Sequence, residues 1–202
     1  MEKGIVLPSF YLAPIAYYSH ILKTEGEILL EKHEHFPKQT YRNRASIHSP
    51  NGRLDLTVPI QKLKNRRRTQ MKDVQISNAD AWQRRHWMTL QTSYRRSAFF
   101  EYYEDDFVKF YNKEFNYLFD FNQEVNELII SLLKINVEFS FTEEYAKSYP
   151  DLLDLRDAIH PKKGLLLNKP YFQVFELAND FIPNLSIVDL LFNQGPQSKN
   201  YL

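Results

Sequence analysis

GIVLPSFYLAPIAYYSHILKTEGEILLE, residues 4–31, is the stretch whose reading decides the fold. Gly4-Ile5-Val6-Leu7 is a short apolar run halted at Pro8, which has no N–H to give a ladder, so it reads as a short buried strand. Between Pro14 and Lys23, Ile15, Tyr18, Ile21 and Leu22 fall at helical spacing. Pro14 suits a first helical position, where the missing donor has no partner to lose. Glu27-Ile28-Leu29-Leu30-Glu31 then reads as a second strand. Strand, helix and strand in this order suggest a parallel unit, so the fold class expected is α/β (or α+β) built on an N-terminal β-α-β unit.

Downstream, Asn51-Gly52 separates Arg44-Ala45-Ser46-Ile47-His48 from Arg53-Leu54-Asp55-Leu56-Thr57-Val58-Pro59-Ile60. Asn-Gly supplies the positive φ of a tight turn, and Leu54, Leu56, Val58 and Ile60 alternate on one face; a hairpin extending a mixed sheet is expected. Met71 to Ile76 reads as another short strand. An aromatic-rich helical C-terminal half follows. Trp82, His86, Leu90 and Tyr94 recur every four residues, and Phe99, Tyr103, Phe107, Phe110, Tyr111, Phe115, Leu118 and Phe119 continue the pattern. Asp120-Phe121-Asn122-Gln123 and Ser186-Ile187-Val188-Asp189 have capping-box form, and Gln194-Gly195-Pro196 stops the last helix. Residues 136–180, broken by Pro150, Pro161 and Pro170, give no clear element. With 202 residues and no linker, a single domain over 1–202 is expected.

Composition narrows the chemistry. Cysteine is absent, which removes disulfides, thiolate metal sites and cysteine nucleophiles. Residues 1–22 carry Pro8, Pro14 and His20 and lack a small-x-small cleavage site, and no run reaches the roughly 20 apolar residues of a membrane span. A cytoplasmic protein with no membrane span is expected. GxxxxGK[ST], GxGxxG and GxSxG are all missing, which disfavours P-loop phosphoryl transfer, a dinucleotide site and a hydrolase elbow; the sequence leaves the cofactor unknown. Charge is uneven: Lys38 to Lys72 holds ten basic residues (Lys38, Arg42, Arg44, Arg53, Lys62, Lys64, Arg66, Arg67, Arg68, Lys72) against Asp55 alone. That half faces anions, or is simply a solvated basic loop.

The polar stretch EKHEHFPKQTYRNR, residues 31–44, joins the second strand to the hairpin. If the strand continued, Glu31, His33 and His35 would share one face, a geometry open to a metal, a polar cleft or plain exposure. No metal is assigned. Lys38, Arg42 and Arg44 have the donors for a phosphate or carboxylate, and Asn43 between two arginines suggests a directed hydrogen bond. His86, on the aromatic stripe between Trp82 and Leu90, reads as a structural histidine ahead of a general base.

Several segments together resemble the WbqC-like family of bacterial proteins. They are Phe10-Tyr11-Leu12 with Tyr17-Tyr18, His35-Phe36-Pro37-Lys38 with Asn43-Arg44, Pro50-Asn51-Gly52 with Leu56-Thr57-Val58-Pro59, Trp82, Leu90, Ser93-Tyr94-Arg95, Phe181 to Ser186, Asp189 to Asn193 and Gly195-Pro196. The resemblance implies a transferase of surface-polysaccharide or O-antigen biosynthesis that passes glycyl or another small acyl group to an amino sugar. Such a reaction needs a base, an anion site and groups that orient the sugar. His35, with His33 beside it, is the expected catalytic base; Lys38 and Arg44 the anion contacts; Asn43 the orienting group; Tyr94 and Asn184 further pocket residues. The expected partners are a nucleotide-sugar or amino-sugar substrate and an activated acyl or aminoacyl donor. A non-catalytic anion- or RNA-binding module, or a scaffold in polysaccharide assembly, is the alternative, with nucleic acid the less favoured partner.

Overall fold

β1 (Ile5–Pro8) and β2 (Ile28–Glu31) pair in parallel, Ile5 opposite Ile28 and Leu7 opposite Leu30, with α1 (Ile15–Lys23) crossing between them. The computed structural model describes residues 4–63, 68–163 and 169–202; Lys64, Arg66 and Arg67 of the basic run lie outside them. The remaining elements are β3 (Arg44–Ser49), β4 (Gly52–Thr57), α2 (Trp82–Tyr94), α3 (Phe100–Tyr111), α4 (Leu118–Leu132), β5 (Phe139–Phe141), β6 (Leu153–Asp154), α5 (Glu176–Asn179) and α6 (Ile187–Gln194). Mixed α/β architecture, a hairpin and an aromatic-rich helical C-terminal half are all present.

The sheet differs from expectation in one respect. β5, β2, β1 and β6 form a four-stranded sheet in that order with every pairing parallel, while β3 and β4 form a separate two-stranded antiparallel sheet. The hairpin therefore extends no mixed sheet. The outer edges of β1 and β2 are taken by other strands: β6 pairs with β1, and β5 with β2. β3 instead bonds to the C-terminal segment and to α2: Ser46 O accepts from Ser186 N at 2.7 Å, and His48 N donates to the hydroxyl of Tyr94 at the end of α2 at 3.1 Å. Gly52 carries the turn's positive φ of 90°, opposite Ser49.

Two other expectations are corrected. Met71–Asp73 is a 3₁₀ turn, and Gln75 and Ile76 make only isolated bridges, because Met71 N bonds Glu34 O and Ile76 N bonds Asn116 O in place of a strand partner. α4 begins at Leu118, so Asp120 lies inside its first turn and is no cap. Ser186 does cap α6, its hydroxyl accepting from Val188 N at 3.4 Å, but the Asp189 carboxylate does not reach back to it. That carboxylate is fully buried and accepts from the Tyr94, Tyr171 and Gln173 side chains.

Aromatic packing holds the helical half together. Phe192 of α6 lies 5.2 Å from the Tyr94 ring of α2 and 5.0 and 5.3 Å from Phe100 and Phe107 of α3, the latter two edge-on, an arrangement that suits ring quadrupoles. Gly195, at φ 52°, ends α6 with the Phe99 ring against its Cα, so a side chain there would meet both the ring and the backbone's left-handed turn. Trp82, His86, Leu90 and Tyr94 are all buried, as the four-residue stripe predicts. His86 is structural: its Nδ1 lies 3.0 Å from the Tyr11 hydroxyl, which lies 2.9 Å from that of Tyr111. Burial lowers its pKa to about 4, so it is neutral near pH 7.

Candidate functional site

All four strands of the parallel sheet point the same way, so their carboxyl ends share one edge, the edge where open α/β sheets bind ligands. β2 ends there at Glu31, β5 just before Thr142, and β6 at Asp154. Glu31 is fully buried and its two oxygens are saturated. Oε1 accepts from His33 N (2.7 Å), Glu34 N (3.1 Å) and the Thr142 hydroxyl (2.9 Å); Oε2 accepts from the Tyr149 hydroxyl (3.2 Å) and Arg156 Nη1 (3.1 Å).

This carboxylate explains why β2 stops. By drawing the next backbone N–H groups onto itself, it turns the chain sharply, and His33 and His35 do not continue a strand. The shared face of Glu31, His33 and His35 is therefore not formed. Among the described residues, no group of three or more His, Cys, Asp and Glu side chains is placed to hold a metal ion.

Beyond Glu31 the site is built from paired ions. Arg156 grips Asp154 through Nε (2.9 Å) and Nη2 (2.5 Å), and donates to the Ala146 and Lys147 carbonyls at 2.9 and 3.3 Å. Its guanidinium also lies over the Tyr145 and Tyr149 rings, 5.5 and 4.8 Å from their centroids. Burial pushes the Asp154 carboxyl up, but hydrogen bonds and charge from Arg156 outweigh it and hold the group below the usual carboxylate range. Arg42 repeats the motif one layer in, with Nε and Nη2 on the Glu34 oxygens at 2.7 and 2.6 Å and a further bond from Nη2 to Arg156 O at 3.1 Å. Burial raises the Glu34 pKa, opposed by those two bonds. Asn122 of α4 fixes the Arg42 carbonyl at 2.8 Å, linking the site to the helical half.

Over these pairs opens a cleft of about 440 Å³. The β2–β3 loop contributes Glu34, His35 and Pro37; the β5–β6 loop contributes Tyr145 and Lys147; β6 and the residues after it contribute Asp154, Arg156 and Asp157. His35 is exposed, its ring nearly parallel to that of Tyr145 (7°, centroids 6.1 Å apart), and its imidazole makes no hydrogen bond among the described residues. Its backbone is anchored by a bridge to Gln70.

The other residues singled out in the sequence lie elsewhere. His33 is half-buried, its Nδ1 3.3 Å from Gln70 Oε1, and does not line the cleft. Lys38 is exposed one residue past Pro37. Asn43 donates to Val58 O at 3.0 Å and ties the two hairpin strands together. Arg44 begins β3 opposite Thr57, half-buried, with Nε buried and without a hydrogen-bond partner among the described residues. Tyr94 is fully buried between His48 N and Asp189. Asn184 Oδ1 accepts from Ala16 N at 3.0 Å and so caps α1 from a distant part of the chain. The fold thus joins His35 to residues 145–157, a region without a readable pattern. Asp154-x-Arg156 closing a short apolar step was its one local signal.

The profile of the WbqC-like protein family matches residues 9–163, more than half of the chain. The chain is also 25% identical to the uncharacterized protein Rv1507c of Mycobacterium tuberculosis, over all of this chain and 98% of that protein. No solved structure matches it. No helix among the described residues is long and apolar enough to cross a membrane.

Proposed function

Since the chain belongs to the WbqC-like protein family, we propose that it is an acyl or aminoacyl transferase of surface-polysaccharide (O-antigen-type) biosynthesis, passing glycyl or another small acyl group to the amine of a sugar. The observation that carries this reading is His35: an exposed imidazole free of hydrogen bonds among the described residues, on the rim of a cleft beyond the carboxyl ends of a parallel sheet. An exposed imidazole with no hydrogen-bond partner among the described residues is a side chain suited to take a proton from an ammonium.

In this reading the sugar amine attacks the activated carbonyl carbon. The C–N bond forms, the bond to the donor's leaving group breaks, and the amine's proton passes to His35. The ion pairs Arg42–Glu34 and Arg156–Asp154 supply rigidity beneath the reacting groups, since each guanidinium fixes its carboxylate at two points. Lys38, exposed beside Pro37, adds positive charge to the loop that carries His35. The test is mass spectrometry of amino-sugar nucleotides incubated with the protein, ATP, glycine and charged tRNA. A mass gain of one acyl group, lost in His35→Ala, supports the reading; no mass gain with any donor sinks it.

A further inference from the structure

Charge accounting separates the groups that hold the cleft together from those left for a ligand. Arg156 spends Nε, Nη1 and Nη2 on Asp154, Glu31 and two backbone carbonyls, and Asp154 is occupied by it in return. Both Glu34 oxygens are taken by Arg42. Two charged side chains of the lining remain uncommitted besides His35: Lys147 and Asp157 are exposed, and neither side chain makes an ion pair or hydrogen bond among the described residues.

We propose that Lys147 and Asp157 are the specificity-determining pair of this cleft, Lys147 receiving a phosphate and Asp157 the ammonium of the same ligand, so that the cleft selects a phosphorylated sugar whose amine is free. This rests on the transferase reading and names its acceptor class. An amine reaches the site protonated, so a carboxylate is the group that holds it and an imidazole the group that deprotonates it. An ammonium–carboxylate contact at an open cleft is worth little in absolute terms, yet it is enough to separate an amine from an amide. The Arg156 guanidinium cannot substitute for Lys147, since its hydrogen-bonding directions are already filled.

The test is a chemical-shift titration of the isotopically labelled full chain with three probes: glucosamine 1-phosphate, N-acetylglucosamine 1-phosphate and glucose 1-phosphate. Glucosamine 1-phosphate is expected to bind about fivefold tighter than the other two. Asp157→Asn removes that preference while leaving glucose 1-phosphate unchanged, and Lys147→Met weakens all three together. Both side chains are exposed, so spectra of the variants should match wild type outside the cleft, which separates lost binding from lost folding. Equal affinity for the three probes, a preference that survives in Asp157→Asn, or no binding of glucosamine 1-phosphate overturns the assignment. If the preference holds but no acyl product forms, the pair stands and the transfer reading fails; if transfer occurs with no preference for the amine, the reverse is true.

Discussion

Replacing Glu31 with Gln probes the foundation of the cleft. The wild-type carboxylate is fully buried and accepts five hydrogen bonds, three on one oxygen and two on the other. An amide can accept on one side only. Its oxygen will turn to the two backbone N–H groups and the Thr142 hydroxyl, which leaves its NH₂ facing Arg156 Nη1, a donor that cannot become an acceptor. Removing one partner of a buried ion pair costs about 3–5 kcal/mol. Asp154 still neutralises Arg156, which places the expected loss near the lower bound, about 3 kcal/mol. For a chain of this size that is roughly a 6–12 °C fall in Tm. The assay is urea denaturation of Glu31→Gln, Arg156→Met and the double variant. A coupling energy of about 1–3 kcal/mol is expected between the two sites. A Glu31→Gln loss below about 1 kcal/mol, or strict additivity in the cycle, would refute the claim that this carboxylate organises the strand ends.

Three further outcomes follow from the same geometry. His86 has a folded-state pKa of about 4 against an ordinary 6.5, so between those values the unfolded chain binds more protons and stability falls as pH drops. The full effect is about 3 kcal/mol, and a pH series of denaturation midpoints should show this acid limb shrinking in His86→Gln. Phe192→Ala leaves a cavity among Tyr94, Phe100 and Phe107 and should cost about 3–5 kcal/mol by chemical denaturation, with near-ultraviolet dichroism reporting the loosened rings. Ser186→Ala removes the α6 cap and a bond to Leu12 O at 2.8 Å, an expected loss of about 1–2 kcal/mol in the same assay.

Much of the fold was legible because its periodicities are local. The β-α-β unit, the hairpin and α2 each announce themselves within a dozen residues, through apolar runs, Pro14, Asn51-Gly52 and a four-residue stripe. β5 and β6 were not legible: strands of three and two residues are too short for periodicity, and their register is set by the edges of β2 and β1. The site suffered most from this, since Asp154 ends β6 and Tyr145, Lys147, Arg156 and Asp157 lie in the segments beside those strands. Polar residues also misdirect when read by type alone. Asn43, Tyr94 and Asn184 look like ligand contacts in sequence, yet each completes a backbone or buried-carboxylate hydrogen bond that no local rule anticipates. The histidine pair read as one face only on the assumption that β2 continued, and Glu31 curls the chain before it can.

The most direct measurement of the central claim is the acyl-transfer assay by mass spectrometry on wild type and His35→Ala side by side, with folding monitored in both. His35 is exposed, so its removal should leave stability within about 0.5 kcal/mol, while the rate of product formation falls by about 10²–10⁴ if the imidazole is the base. An acylated amino sugar formed equally fast by both proteins would contradict the account.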